Sequence, residues 1–479
     1  KYNYALGEKT GIVGGIDELG PAVTTTDNNS YSHNYGVESY LARINYGFKS
    51  RYYIDASWRT DGSSRFHPSD RWGHFWSVGA SWRISEEQFM ENTRQWLDNL
   101  TLKVSYGVQG NDNLGTYYAW QGLYDYTWPN ATDAGAFVDK LENRKVTWEK
   151  NGNLNAGIEA TMFGGRLGVS VEYYNRKTRD MLLNSPLPIS TGFTGFNDNV
   201  GSLRNQGLEV SLRGTILDKR DFRWDATLMG SFNRNKVLSL TGGQDVITSG
   251  IRVIEVGRPI YTFYLPKTAG VDPATGKQLY YAYWTQTVND EGTLVNTRCD
   301  EYITDNVAMA TLSKYYHESR EPKLFGSIGS TFTILKNIDV SFLTTYSIGG
   351  WVYDGLYNGS MYVQYAGNNW HKNAKRRWQK PGDKTDVPML EVGGSYATTS
   401  NSLIDASYFA IKNITVGYTL PKRWLKKIDI ESLRIYATLD NIAMFNHMDG
   451  MDPQYNFTGS VAYSYTPSRV IAFGIDLNF

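Results

Sequence analysis

The sequence predicts an all-β protein, a transmembrane antiparallel β-barrel wall of about thirteen strands with long loops on one side. Three observations predict it. Apolar and polar residues alternate with a period of two over segments of roughly ten residues or more. The connections between these segments alternate between short and long. The final segment places Ile471, Phe473, Ile475, Leu477 and Phe479 on one face and ends the chain on an aromatic.

Composition agrees with strands and turns. The 479 residues include 35 Tyr, 14 Trp and 47 Gly, with 41% hydrophobic residues and 14% aromatics. The net charge of +0 leaves no basic face of the size nucleic acid requires. A single cysteine, Cys299, excludes a disulfide framework and a cysteine-based metal site. No run approaches the roughly 18 apolar residues of a membrane-spanning helix. The mean hydropathy of −0.44 suits a barrel, in which only every second residue meets lipid. The chain starts at Lys1 without a Met, a charged n-region or an apolar h-region. That start predicts either a removed signal segment or a fragment of a longer protein.

The first strand covers Ser39–Phe48, with Tyr40, Ala42, Ile44, Tyr46 and Phe48 on one face and Leu41, Arg43, Asn45 and Gly47 on the other. In the next, Tyr52, Ile54, Ala56 and Trp58 oppose Tyr53, Asp55, Ser57 and Arg59. Trp76, Val78, Ala80, Trp82 and Ile84 form the third face, and Leu100, Leu102, Val104, Tyr106 and Val108 the fourth. The alternation returns near 153–162, 165–175, 205–216, 222–234, 324–334, 337–348, 405–420, 432–441 and 468–479. Segments this long suit a tilted membrane crossing, whereas soluble strands average about five or six residues. Trp58, Trp76 and Trp82 read as lipid-facing or girdle residues.

Short links at Lys49–Arg51, Phe163–Gly165, Leu217–Asp221 and Leu335–Asn337 alternate with long ones near 110–152, 176–204, 235–323, 349–404 and 442–467. Outer-membrane barrels pair short periplasmic turns with long extracellular loops, so the pattern assigns the two sides. Ser85–Asn99 and Pro421–Glu431 read as periplasmic turns elaborated by a helical piece, and Asp61–Trp72 as a short outer loop. Residues 1–38, rich in Gly, Thr, Asn and Ser, show no strand-length alternation and read as an extracellular loop segment preceding the 39–479 barrel part.

No catalytic or metal motif emerges. The six histidines show no HxH or HExxH spacing, and no Ser or Asp is set with a His as nucleophilic catalysis requires. No cofactor is expected.

Several segments are similar to the SusC/RagA family of TonB-dependent outer-membrane transporters. They are YYIDASWRTDGSSRF (Tyr52–Phe66), RWGHFWSVGASWRISEE, WLDNLTLKVSYGVQGN, AGVDPATGK (Ala269–Lys277), RRWQKPGDKTDVP (Arg376–Pro388), DASYFAIKNITVGYTLP (Asp405–Pro421), LRIYATLDNIAMF (Leu433–Phe445) and GMDPQ (Gly450–Gln454). Taken physically, these motifs look structural. Asp61 and Gly62 suit a tight turn, Ser63 and Ser64 suit capping, and Arg65 suits a carboxylate or backbone carbonyl at the rim. AGVDPATGK reads as two turns, around Asp272–Pro273 and Thr275–Gly276, and lacks the alternating acids of a calcium loop.

The resemblance implies the C-terminal ~13 strands of a 22-stranded barrel with a plugged lumen. The family's N-terminal extension, TonB box and plug have no counterpart in this sequence. It implies TonB-dependent import of a nutrient, most often an oligosaccharide and in some relatives an oligopeptide, across the outer membrane of a Gram-negative bacterium. It also implies a SusD-like surface lipoprotein as lid, a dimer of transporter–lipoprotein pairs, and coupling to TonB–ExbB–ExbD through the missing N-terminal part. The terminal pattern Ile471, Phe473, Ile475, Leu477 and Phe479 resembles the ending that the barrel-assembly machinery recognises.

Aromatics in or beside the long loops are the candidate cargo contacts: Trp120, Tyr124, Trp128, Trp284, Trp351, Tyr362, Trp370 and Trp378. Their faces can stack on sugar rings, or they can pack the loops. A passive porin and an outer-membrane lipase or protease are the competing classes. The motifs oppose the first and the scattered histidines the second. Parity makes a last expectation. Thirteen alternating strands ending in the periplasm require the first also to run inward, which leaves residues 1–38 outside and the chain unable to close a ring alone.

Overall fold

A computed structural model describes the chain except at residues 1, 11–23, 126–134, 241–244, 362–368, 392–393, 395, 426–429, 449–450, 456–457 and 462–464. Thirteen strands make one antiparallel sheet in simple up-and-down order. They are β1 (Val37–Phe48), β2 (Tyr52–Ser63), β3 (Trp72–Arg83), β4 (Leu97–Asn111), β5 (Glu149–Met162), β6 (Leu167–Arg179) and β7 (Ser202–Lys219). Then follow β8 (Phe222–Ser239), β9 (Leu324–Ile334), β10 (Ile338–Ile348), β11 (Tyr408–Thr419), β12 (Ser432–Asn446) and β13 (Val470–Asn478). Each strand pairs with its sequence neighbour, and β1 is not joined to β13.

Every strand the alternation predicts is present. Several run further than predicted at their outer ends, where ladder hydrogen bonds continue but no lipid demands an apolar face. Register aligns the apolar faces into continuous rows. Ile475, Ile435, Tyr418, Ile338, Ile334 and Phe222 stand directly opposite one another across six strands. At the other end Ala42, Trp58, Trp76 and Val108 form a similar row. Ile475, Ile435, Tyr418, Trp58 and Trp76 stay exposed although apolar, as a lipid-facing surface requires, while Ile338, Ile334, Phe222 and Val108 are half-buried. The alternate residues make a polar inner face, with ion pairs between Arg43 and Asp55 at 2.8 Å and Lys103 and Glu159 at 2.5 Å. No helix among the described residues is long and apolar enough to cross a membrane.

Aromatic rows mark the end of the wall that carries the short turns. Phe48, Tyr52 and Trp82 stack in sequence, at centroid distances of 6.5 and 6.4 Å. Phe222, Phe332 and Trp224 make a second row further round, Phe332 tilted against Phe222 at 6.1 Å and stacked on Trp224 at 5.7 Å. Two of the three-residue links, Lys49–Arg51 and Leu335–Asn337, turn through left-handed backbone at Lys49–Ser50 and Leu335–Lys336, the twist that suits the flanking strands. Short 3₁₀ segments in 84–93 and a helical turn at Lys422–Leu425 elaborate the two medium links, as expected.

Three expectations need correction. Residues 1–38 are not loop throughout, because Tyr2–Thr10 and Thr24–His33 form an antiparallel hairpin. Its sequence, with TTTDNNS, is polar at successive positions. Backbone pairing can form between strands of such composition without a hydrophobic period to read. Asp61 and Gly62 are not a turn either, since both lie in β2 opposite Gly73 and Trp72. AGVDPATGK makes one tight loop rather than two turns. Asp272 closes it, accepting from Ala274 N at 3.0 Å, from the Thr275 hydroxyl and from Gly276 N at 2.8 Å.

The long connections fold into an outer layer of their own. Strands Thr262–Val271, Gln278–Val288, Leu294–Thr304 and Lys314–Ser319 pair within 235–323. Trp351–Asp354 pairs with Leu403–Asp405 and, in parallel, with Ser460–Val461. Fully buried Phe263 and Leu265 pack on Tyr353, which joins the first of these loops to the second. Val352, Ala406, Met448 and Met451 join the second to the third.

Candidate functional site

The wall's polar face and the outer layer meet at a cleft of about 350 Å³ near the outer ends of β6–β11. Tyr174, Asn205, Asn233 and Asn235 line it from the wall, Glu321 and Tyr261 from the loops. The amides do two jobs. Asn235 Nδ2 donates to Asn205 Oδ1 at 2.7 Å, while its own Oδ1 accepts from the backbone amide of Ile260 at 2.8 Å. Asn233 accepts from the Tyr174 hydroxyl at 2.6 Å and donates to the Glu321 carboxylate. Two loop segments are thereby pinned to the barrel wall. Gly207 makes room for the Tyr174 ring, because a Cβ there would meet Phe232 O at 2.1 Å and Tyr174 Oη at 2.5 Å. Arg320 Nη2 reaches on to Pro453 O at 2.8 Å and ties in the last outer loop.

Burial pushes the Glu321 carboxyl above the ordinary carboxylate range, against the opposing hydrogen bonds from Asn235 and Asn233. A raised carboxyl favours the protonated native state, so its contribution is full below the unfolded value near 4.3 and is lost as pH rises through the folded value. Glu321→Gln keeps an acceptor for Asn233 and removes the charge. It should match or exceed the parent in thermal stability at pH 7 and flatten the pH dependence. Glu321→Ala should cost about 1 kcal/mol by stranding the Asn233 amide. A glutamine variant less stable than the parent at pH 7 in detergent melts would show that the charge itself stabilises this junction.

A second polar surface lies on the outer layer. Tyr281, Tyr283 and Tyr315 cluster there, Tyr283 edge-on to Tyr315 at 5.3 Å, with Lys267 over Tyr281 at 4.4 Å and Arg298 over Tyr283 at 5.3 Å. The Tyr315 hydroxyl donates to Glu301 at 2.8 Å. Burial first, then Tyr264, pushes the Tyr283 phenol up to about 12, so its hydroxyl stays a protonated donor at any physiological pH. Cations resting on phenol rings present a rigid, mixed-charge face.

The loop aromatics singled out in the sequence take different roles. Trp120 packs beside the buried cluster of Phe66, Phe75, Val146 and Trp148. Trp351 packs on Phe263, Leu265 and Tyr353. The Trp378 ring fills the space left by Gly276, and its Nε1 donates to Pro273 O at 2.9 Å. Trp284 is half-buried, opposite Arg298. Tyr124 and Trp370 are exposed. Trp128 and Tyr362 lie outside the described residues. Ile471, Phe473, Ile475, Leu477 and Phe479 are all exposed, those within β13 on its apolar face. The cleft residues were missed. The alternating Asn233 and Asn235, in inward phase beyond the apolar stretch of β8, were the available signal.

A wall of long antiparallel strands, lipid-facing on one side and polar on the other, under an ordered loop layer, defines a large outer-membrane-type barrel. The family model for TonB dependent receptor-like β-barrels matches residues 2–442, and the chain belongs to that family, in its SusC/RagA branch. Receptors of this family are outer-membrane proteins of Gram-negative bacteria. The TonB-dependent receptor SusC of Bacteroides thetaiotaomicron is 28% identical over 95% of this chain and 45% of its own length. TonB-dependent receptor P26 of Formosa agariphila is 28% identical over 95% of the chain and 47% of its length. A structure of the RagAB peptide transporter superposes with a TM-score of 0.81 at 29% identity, covering 96% of this chain and 49% of that one. The chain thus spans about half the length of the relatives it matches.

Proposed function

We propose that this protein imports a nutrient oligomer across the outer membrane by TonB-dependent active transport, together with a SusD-like lipoprotein. The superposition on the RagAB transporter over nearly the whole chain is the observation that carries this reading. Coupling to TonB–ExbB–ExbD runs through a plug and TonB box of the kind the family implies. The terminal residues 471–479 serve as the barrel-assembly signal. The lid rests on the outer layer, whose tyrosine–cation face around Tyr283 and Tyr315 offers a firm protein contact, and two such pairs make the dimer.

The cargo is an oligosaccharide, held by the carboxamides and tyrosines of the cleft and by exposed aromatics such as Tyr124 and Trp370. Paired hydroxyls and ring faces are what such groups recognise. A second reading, an oligopeptide, is favoured by the likeness to a peptide transporter. Amides and one half-buried carboxylate suit peptide backbones equally well.

Uptake of labelled oligosaccharides and of labelled peptides by cells with and without the gene distinguishes the two. Gene-dependent uptake that stops with a protonophore supports the importer. Uptake indifferent to the proton gradient would make the protein a porin. Gentle detergent extraction at native expression should bring down a lipoprotein partner, and a bare barrel would count against the lid.

A further inference from the structure

The turn end of the wall carries a pattern that transport does not use. Turn after turn places an exposed apolar side chain beside a cation. In the first turn, Phe48 is followed by Lys49, whose ammonium sits over the Phe48 ring at 5.2 Å. Another pairs Leu335, 61% exposed, with Lys336. A third pairs Trp424, 54% exposed, with Arg423, whose guanidinium lies 5.9 Å from the ring. Between them stand Phe89, Trp96 and Phe163, all exposed.

Some basic groups at this end are already neutralised. Arg51 pairs with Glu87 at 3.2 Å and Arg83 with Glu86 at 3.3 Å. Lys49 and Lys336 have no carboxylate partner among the described residues. Apolar side chains at turn tips lose by facing water, and cations beside them gain nothing from one another. One neighbour satisfies both, a lipid surface with acyl chains against the apolar groups and phosphates at the height of the cations. The stacked pair Tyr52–Trp82 and the row Phe222–Phe332–Trp224 lie immediately inward of these tips, where the headgroup level of the leaflet falls.

We propose that the short-turn rim is a collar that binds anionic phospholipid headgroups of the inner leaflet through Lys49, Lys336 and Arg423. The apolar neighbours set the depth, and the cations select net-negative headgroups over zwitterionic ones. This rests on the family's orientation, with short turns in the periplasm, and not on the identity of the cargo.

The test uses the full-length protein in nanodiscs of phosphatidylethanolamine with a minor share of phosphatidylglycerol or cardiolipin, scored by lipids retained in native mass spectrometry. The parent should retain the anionic lipid above its share in the disc. Replacing Lys49, Lys336 and Arg423 by Gln should lower that preference, by roughly fivefold for each cation removed. Retention at the bulk ratio in the parent, or enrichment unchanged in the triple variant, would overturn the collar. Should the triple variant not fold, salt titration of the parent decides the matter. Headgroup binding weakens with ionic strength, and enrichment insensitive to salt would refute it.

Discussion

Arg65→Met is expected to cost about 3 kcal/mol, within the range for breaking a buried ion pair. Arg65 and Asp112 have side chains only 12% and 15% exposed. The guanidinium donates through Nη1 to Asp112 Oδ1 at 3.2 Å, to the Asp112 carbonyl at 3.1 Å and to Asn113 Oδ1 at 3.3 Å. It also lies over the Tyr35 and Tyr117 rings at 4.7 and 5.2 Å. Methionine fills the volume and keeps the apolar contact but leaves Asp112 without its cation. The hydroxyls of Tyr35 and Ser63 still donate to Asp112, at 2.8 and 2.7 Å, which holds the loss at the low end of that range. Arg65→Lys should recover little, because a point charge cannot fork between a side chain and a carbonyl. Urea unfolding of the full-length protein in lipid vesicles reads the global cost. Hydrogen exchange across residues 109–118 reads local opening of the rim. Stability within about 0.5 kcal/mol of the parent, the usual range for an uninvolved surface residue, would show that the Arg65–Asp112 pair does not hold the rim.

Ile475→Arg is expected to cost roughly 2–4 kcal/mol if the residue lies at the bilayer midplane. Ile475 sits in the middle of β13, 63% exposed and opposite Ile435 on the apolar face. Its neighbour Asp476 is on the polar face and pairs with Arg434 at 3.2 Å. Asp476→Asn should therefore stay within about 1 kcal/mol of the parent, because Asp339 still holds Arg434 and the site is partly solvated. Spin labels at the two positions should report lipid at 475 and water at 476. The reverse accessibility would shift the register of β13 by one residue and move every side chain of the strand to the other face.

The motif at Asp61–Phe66 shows where local reading works and where it stops. That Arg65 needs a carboxylate or a carbonyl follows from its chemistry, and Asp112 supplies both. That Asp61 and Gly62 continue a strand depends on their partners in β1 and β3, which turn propensity does not contain. The serines behave as their side chains allow, with Ser64 Oγ accepting from Gly36 N at 3.0 Å and Ser63 Oγ from Arg65 N at 3.3 Å.

All thirteen strands, their inward and outward phases and the two kinds of connection were legible in the sequence alone. Lipid on one side and a polar lumen on the other impose a period of two that any ten-residue window reveals. The hairpin at Tyr2–Thr10 and Thr24–His33 had no such period and was invisible. The cleft of Tyr174, Asn205, Asn233, Asn235 and Glu321, and the packing roles of Trp120, Trp351 and Trp378, were decided only by the tertiary structure. These contacts join segments as far apart as Asn233 and Glu321, or Pro273 and Trp378. Which distant loops meet is set by where the barrel returns each strand to its outer rim. The local pattern says only that a side chain there is polar or aromatic, and its partner arrives from another part of the chain.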